Sequence, residues 1–467
     1  MTGDAIRRRV GGAGSAILFG LLADATSLLP PKWRYAYVHP ITRKLLRREL
    51  SVVRAPARAA SEPPLSPAQP ADIVCAIVTD KLDVGGIGSV VDILATGLGE
   101  FGVLPVIVCQ GDGPRAQRLR ERGVRVISVL DGTTDISAVV DAGADVVQVH
   151  SAPPLLEQAA IDSGLPLVAV LHNTEIHYSR QQWRRFITLY SHAAAAIAVS
   201  RVVSDFHRRH LPPSSVDRFA VVPNGAPDRP RIGDSRRREA RGWLGDVVGQ
   251  DLTDAVVFVC LARYDAQKNI AGCVSSFLRA VEATELPIHL VIAGDPSDWV
   301  ELRRADGIRR RNQHGDRVHL LGQSDAQSLF DAGDGFVLDS FFEGWPVAAT
   351  EALEAGLPLV LSDVGGAKEL VNRDPARSIL VPNATGAADA VTDARVGWAR
   401  LRSGHQSNAP QFAAAIVCVA EQIARDRETG RIALRPPNSP GVREMVRAHA
   451  ELLRRVARSD KQGPDWQ

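Results

Sequence analysis

Cysteine is scarce: the 467 residues hold five, Cys75, Cys109, Cys260, Cys273 and Cys418, with no Cys-x-x-Cys pair. That count leaves no disulfide framework and no thiolate metal site. Cys75, Cys109 and Cys260 fall in apolar runs and are expected as buried thiols in a reducing compartment. No apolar run reaches the ~20 residues that a spanning helix needs. The stretch "AILFGLLA", Ala16 to Ala23, follows Arg7–Arg9 but is interrupted by Asp24 and precedes no clean cleavage site, so it does not read as a signal peptide. A dinucleotide fingerprint is also missing. The loop "VGGIGSVV" is not G-x-G-x-x-G, and no acidic ribose anchor sits suitably beyond it, which argues against a nicotinamide enzyme. No DxD-like pair stands at a strand end, and no carboxylate pair of the glycosidase kind is evident. No metal and no cofactor are expected. Charge of one sign is not in large excess, with a formal net of +2, and no nucleic-acid partner is expected.

What charge asymmetry exists is local. Residues 1–60 carry eleven Lys or Arg against three acids, a local excess of eight positive charges. Within them "ITRKLLRREL", Ile41 to Leu50, reads either as a basic amphipathic helix touching anionic lipid or as a helix packed on the body. Residues 55–71, rich in Ala, Pro and Ser, read as a linker.

From Asp72 short Val/Ile runs alternate with helical stretches, which argues parallel sheets covered on both faces. "DIVCAIVTD", "LPVIVCQ", "VRVISVL", "ADVVQVHS", "LPLVAVLHN" and "AAAAIAVS" are expected strands of a first sheet. After "FAVVPNGAPDRP" the alternation restarts with "AVVFVCLARYDAQKN", "IHLVIAGD", "VHLLGQ", "SLFDAGDGFVLDS", "LPLVLSDVGG" and "SILVPN". The expectation is an α/β protein of two Rossmann-like doubly wound domains facing one another across a cleft. A basic extension and linker covers 1–71, the first domain 72–225, the second 226–440, and a helix with its tail 441–467, which could pack back on the first domain. Residues 383–440 read as long and irregular. Ligands of such sheets lie outside the carboxyl ends of the strands. Gly85, Gly86, His150, His172, Arg263, Lys268, Gly294, Gly322 and Ser340 all fall at such ends.

One stretch, "SFFEGWPVAATEALEAG", places Glu343 just before an expected helix and Glu351 on its second turn. Pro346 suits the helix start, Gly356 the left-handed stop, and Pro358 follows. The amides of Val347, Ala348, Ala349 and Thr350 would open toward an anion. Glu354 reads as solvent-facing.

Several motifs then fall in order: the Gly85–Gly86 loop, "VLHN" with His172, "VVPNG", "ARYDAQKN" with Arg263 and Lys268, "VIAGD", "VHLLGQ", the E-x7-E pair and "DVGGAKELV". From about Asp72 to the C-terminus the chain resembles the GT-B glycosyltransferases of the retaining family-four type. The resemblance implies transfer of a sugar from a nucleoside diphosphate sugar to an acceptor hydroxyl, in polysaccharide or glycoconjugate synthesis. It implies Arg263 and Lys268 as a phosphate clamp, Glu351 on the ribose, and Glu343 and His172 at the transferred sugar. Gly85 and Gly86 would let backbone approach the diphosphate, and Glu369 would make a structural hydrogen bond. His150 reads as structural or acceptor-side. The acceptor is a glycan, a lipid-linked glycan or a small molecule, and the location cytoplasmic, at the inner face of the membrane if the extension touches lipid. Ala262 and Asn269 stand where the family commonly has glycine, and "DSFFEGWP" replaces the frequent Pro-Ser and Phe-Gly forms, with Trp345 in the bulky position. Two other readings stay open. A GT-B-shaped binding or assembly protein would bind nucleotide sugars without turnover, and an epimerase would interconvert the donor without an acceptor.

Overall fold

The computed structural model describes residues 25–26, 29, 50–54, 71–82, 85–129, 137–212, 218–227, 232–429 and 441–461. The apolar stretch Ala16–Ala23, the basic stretch up to position 49 and the linker up to position 70 lie outside the described residues.

The first sheet is built from β1 (Ile73–Thr79), β2 (Val103–Gln110), β3 (Arg125–Val129), β4 (Val146–His150), β5 (Leu167–Leu171), β6 (Ala193–Ala198) and β7 (Phe219–Val221). All pairings are parallel, in the order β3-β2-β1-β4-β5-β6-β7. β4 and β5 are buried along their whole length, the signature of strands covered on both faces. Between the strands run α1 (Gly86–Gly97), α2 (Pro114–Glu121), α3 (Pro154–Asp162), α4 (Arg180–His192) and α5 (Arg201–Arg208). Ser179 starts α4 with a reciprocal capping box to Gln182. The strand order reverses between β1 and β4, where Thr79 pairs with His150, so His150 and the end of β1 that leads toward Gly85 lie at a switch point. β7 comes from "FAVV", a stretch read from sequence as the lead into the second alternation. It lands instead on the free edge of β6.

The second lobe starts with α6 (Asp234–Val248) and contains β8 (Val256–Leu261), α7 (Ile270–Glu282), β9 (Ile288–Ala293), α8 (Trp299–Arg311), β10 (Val318–Leu321) and α9 (Ala326–Ala332). It continues through β11 (Gly335–Leu338), α10 (Val347–Glu354), β12 (Leu359–Ser362), α11 (Ala367–Val371) and β13 (Ile379–Val381). The six strands are parallel in the order β10-β9-β8-β11-β12-β13, with the switch point between β8 and β11. Two α/β sheets are therefore present. The stretch 383–440 is not irregular throughout: it holds α12 (Asp393–Leu401) and the 20-residue α13 (Ala409–Glu428). Phe412, Ile416, Val419 and Ala420 of α13 recur at helical spacing and are buried in the main core.

The last helix, α14 (Val442–Lys461), crosses back to the first lobe. Met445, Val446, Ala450 and Leu453 join the core formed by Cys75, Ile77 and Leu94. The two crossover segments touch where Gly225 meets Gly441 and Val442. A Cβ at Gly225 would lie 2.9 Å from the Val442 amide nitrogen, so only glycine lets the backbones cross there. A second tie comes from the segment preceding the first lobe. Residues 50–54 lie on the second lobe: the amides of Gly322 and Asp325 donate to the carbonyls of Ser51 and Val53 at 2.8 and 2.9 Å. The Val53 amide donates to Ser324 Oγ, and its side chain is buried beside Leu321 and Leu329. Among the described residues no helix is long and apolar enough to cross a membrane.

Candidate active site

The two switch points face each other. A Cβ on Gly86 would lie 3.5 Å from the Val347 side chain, so the Gly85–Gly86 loop of the first lobe stands over the start of α10. Beside it Gly344 lies directly against the chain after β5, where a Cβ would sit 1.8 Å from the His172 carbonyl oxygen. The loop between β11 and α10 thus closes on the histidine strand, and any side chain at Gly344 would separate them. α10 runs Val347–Glu354 with Pro346 as its cap and no side chain on its first amides. Gly356 follows with φ at 83°, the left-handed stop.

Glu343 is held from several directions. Lys268 Nζ lies 2.5 Å from its Oε1, Ser340 Oγ donates to the same oxygen at 2.7 Å, and Gln267 Nε2 donates to Oε2 at 3.2 Å. The Glu343 side chain is 5% exposed and that of Lys268 17%. The loop carrying Lys268 is built locally. Asp265 Oδ1 accepts from the Lys268 amide at 3.1 Å, and Asn269 takes a left-handed φ of 48° before α7. Asparagine tolerates that conformation, which explains how it stands in for glycine. Asn269 Nδ2 donates to Asp339 at 3.0 Å, and Asn408 donates to the other Asp339 oxygen at 2.9 Å. Burial pushes the Asp339 carboxyl up to about 8. Arg263 is half exposed, its guanidinium 3.2 Å from Asp265 Oδ2. Gly294 packs beneath this loop, where a Cβ would lie 2.1 Å from the Ala262 carbonyl oxygen.

The structure therefore gathers Arg263, Lys268, Glu343, His172, Gly86 and the first residues of α10. Glu351 is half-buried on α10, and its charge reaches Arg115 of the first lobe. Arg115 is held by Ser89 Oγ at 2.9 Å and Asp92 at 3.2 Å. No motif marks Arg115 in the sequence. Gly322 lies at the far edge strand, covered by Leu50 and Val52. Of the α10 residues, Val347 and Ala348 are half-buried at its mouth, whereas Ala349 and Thr350 are buried. The Thr350 hydroxyl accepts from Trp345 Nε1 at 2.8 Å. Trp345 lies on Gly366, where a Cβ would be 2.0 Å from its ring, and Arg373 covers it at 5.2 Å. Glu354 is not solvent-facing: it is 3% exposed, because the Arg373 segment covers that side of α10. Glu369 accepts from the Arg201 amide at 3.3 Å, joining the second lobe to the start of α5.

His172 is half-buried, with Nε2 2.9 Å from His150 Nδ1. Burial pulls His172 down to about 4 and His150 well below its ordinary value, so both rings are neutral near pH 7. Three residues on, burial raises Glu175 to about 7. Nothing in the sequence singled out Glu175. Among the described residues no group of three His, Cys, Asp or Glu side chains is arranged to hold a metal ion.

A family model described as Glycosyltransferase Family 4 matches residues 84–228, and one described as Glycosyl transferases group 1 matches residues 255–394. The chain is 27% identical over 258 residues to a putative teichuronic acid biosynthesis glycosyltransferase, TuaC, of Bacillus subtilis, covering 53% of this chain and 60% of that one. It is 25% identical over 310 residues to an Escherichia coli UDP-Gal:alpha-D-GlcNAc-diphosphoundecaprenol alpha-1,3-galactosyltransferase, covering 59% of this chain and 77% of that one. The fold matches Anabaena HepE in complex with UDP and glucose, with a TM-score of 0.56 at 17% identity over 76% of this chain and 100% of that one. A glycosyltransferase of Rickettsia africae matches with a TM-score of 0.58 at 12% identity, covering 82% of this chain and 99% of that one. With one matched model in each lobe, on two parallel sheets whose switch points meet, the chain belongs to the GT-B glycosyltransferases.

Proposed function

We propose that this chain is a retaining glycosyltransferase that moves a sugar from a nucleoside diphosphate sugar to a hydroxyl of a lipid-linked glycan. The observation that carries the reading is the meeting of Lys268, Glu343 and the uncapped start of α10 with Gly86 and His172 of the other lobe. The diphosphate lies between the Gly86 loop and the amides of Val347 and Ala348, with Arg263 and Lys268 as its fixed cations. Glu351 accepts from the ribose hydroxyls, and Glu343 from a hydroxyl of the sugar. A carboxylate accepts only, so each selects a hydroxyl.

In the reaction the bond from the anomeric carbon to the diphosphate oxygen breaks, and its electron pair leaves with the diphosphate. The acceptor oxygen bonds the same face of that carbon, and its proton passes to the departing phosphate oxygen. Charge gathers on the leaving group, where preorganised cations and amides lower the barrier most. The contact between Gly344 and His172 closes the site against water, which would otherwise hydrolyse the donor.

A lipid-linked acceptor is favoured by the relatives' names, which give diphosphoundecaprenol and diphosphopolyprenol acceptors and α linkages from UDP-galactose and GDP-mannose. The basic residues of 1–60 would then meet an anionic membrane at the inner face. The test is a panel of UDP-, GDP- and ADP-sugars, read first by thermal shift and then by nucleoside diphosphate release with polyprenyl diphosphate glycans. The expected result is one stabilising donor class whose effect is lost in Glu351→Ala, and product of unchanged anomeric configuration by NMR. Binding without release for every acceptor would leave the non-catalytic reading, and inverted product would remove retention.

A further inference from the structure

The histidine at the cleft ends a chain of buried groups that begins on the last helix. His449 of α14 has Nδ1 3.0 Å from Nε2 of Gln148, and Gln148 Oε1 lies 3.0 Å from His150 Nε2. His150 Nδ1 in turn meets His172 Nε2 at 2.9 Å. Gln148 and His150 are 0% exposed and His449 1%, so no water competes along the chain. Burial pulls all three rings below their ordinary values, His449 to about 3.

Neutral rings carry one N–H each, and that makes the chain directional. An amide oxygen only accepts and an amide nitrogen only donates. His150 therefore donates from Nε2 to Gln148, which leaves its Nδ1 bare. His172 must then donate from Nε2, leaving its own Nδ1 bare. At the other end the Gln148 nitrogen donates to a bare Nδ1 on His449. Turning the Gln148 amide over would reverse every link, with His449 then donating from Nδ1. The structure places the amide nitrogen toward His449, and losing that acceptor on α14 frees the amide to turn. The Nδ1 of His172 makes no hydrogen bond among the described residues.

We propose that His449 and Gln148 are positioning residues that hold His172 as the Nε2–H tautomer, so that its Nδ1 offers a lone pair to a sugar hydroxyl in the cleft. This rests on the reading of His172 as a site residue. A bare ring nitrogen accepts from O–H and repels phosphate oxygens, so His172 serves the sugar end of the substrate and not the diphosphate. The element supplying the orienting partner is the helix that crosses back from the second lobe, 301 positions from Gln148.

The test labels the histidine ring nitrogens of the full chain with ¹⁵N and reads each nitrogen as protonated or bare by long-range ¹⁵N–¹H correlation. In the wild type without substrate, His172, His150 and His449 should each show a protonated Nε2 and a bare Nδ1. His449→Phe fills the same space but cannot accept. It should bring up the Nδ1–H form of His172 and lower kcat about tenfold with donor KM little changed. His449→Gln, which can accept through its amide oxygen, should restore both tautomer and rate. A protonated Nδ1 on wild-type His172 overturns the proposal without any variant. Unchanged His172 nitrogens in a folded His449→Phe protein overturn it as well. Because the tautomer is read without turnover, failure here is distinct from failure to find a glycosyl transfer.

Discussion

Lys268→Met separates the two tasks assigned to one ammonium group. Methionine keeps the length of the stem and removes the charge, leaving Glu343 5% exposed with only Ser340 and Gln267 donating to it. Removing one partner of a fully buried pair costs ~3–5 kcal/mol. Here Lys268 is 17% exposed and Glu343 keeps two donors, so about 1–3 kcal/mol of stability is the expected loss. At roughly 2–4 °C per kcal/mol for a domain of this size, the unfolding midpoint should fall by about 2–12 °C. The effect on turnover should be larger, because under the proposed function the same cation also meets charge that develops on the diphosphate. Losing such a group typically costs ~2.7–4 kcal/mol in the transition state, or about 10²–10³ in kcat. Adding Glu343→Gln removes the stranded carboxylate and should recover most of the lost midpoint while leaving kcat low. The assays are differential scanning fluorimetry and nucleoside diphosphate release on the four members of the cycle. A double variant no more stable than Lys268→Met alone, or a Lys268→Met enzyme within threefold of wild-type kcat, would refute the reasoning.

Gly344→Ala should leave nucleoside diphosphate binding by calorimetry within threefold but abolish transfer, since its Cβ would sit 1.8 Å from the His172 carbonyl and hold the lobes apart. Val53→Ser should cost about 1.5–3 kcal/mol of stability and lower the midpoint, because its buried side chain fastens residues 50–54 to the second lobe; an unchanged midpoint would show that this tie contributes nothing. Glu175 has its carboxyl raised to about 7 by burial, so the folded chain favours the protonated form. Its stabilising contribution is complete below about 4.5 and is lost as pH rises through about 7. Glu175→Gln should therefore gain stability relative to wild type as pH rises through that window, and a flat difference in unfolding midpoint would contradict the assignment.

The local punctuation made α10 legible: Pro346, Gly356 and Pro358 bracket it, and the structure runs it Val347–Glu354. The alternation of Val/Ile runs made both sheets legible for the same reason, since strands covered on both faces are apolar throughout. What escaped depends on partners far along the chain. Glu354 looks like a solvent residue until the Arg373 segment is folded over it. Gly322 looks like a ligand loop until residues 50–54 are laid across it. α13 is a different case, because Phe412, Ile416, Val419 and Ala420 carry a helical period that the surrounding Gly, Pro and Arg obscured. His449 carried no motif at all; only the return of α14 to the first lobe brings it to Gln148.

The lobes are joined by close backbone contacts, by polar links and by apolar packing. At the crossing, Gly225 lies against Gly441 and Val442 in a contact that leaves no room for a side chain, so this point can act as a pivot but cannot slide. Around the rim polar links accompany apolar ones: Ile176 packs against the cluster of Phe341 and Phe342, and the His177 ring meets Phe342 edge-on at 5.0 Å. His177 Nδ1 meets Asp393 at 2.6 Å, Arg209 lies 3.6 Å from Asp389, and Glu369 accepts from the Arg201 amide. Partly exposed pairs of this kind contribute roughly 0–1 kcal/mol each. The polar links alone therefore contribute a few kcal/mol at most, and the apolar contacts beside them add to that. The close approach of Gly344 to His172 is the contact that reports full closure, since it brings the Glu343 loop against the histidine strand. The two halves of the cleft are thus aligned by backbone contact at Gly225 and Gly344, with the polar rim links adding little to that alignment.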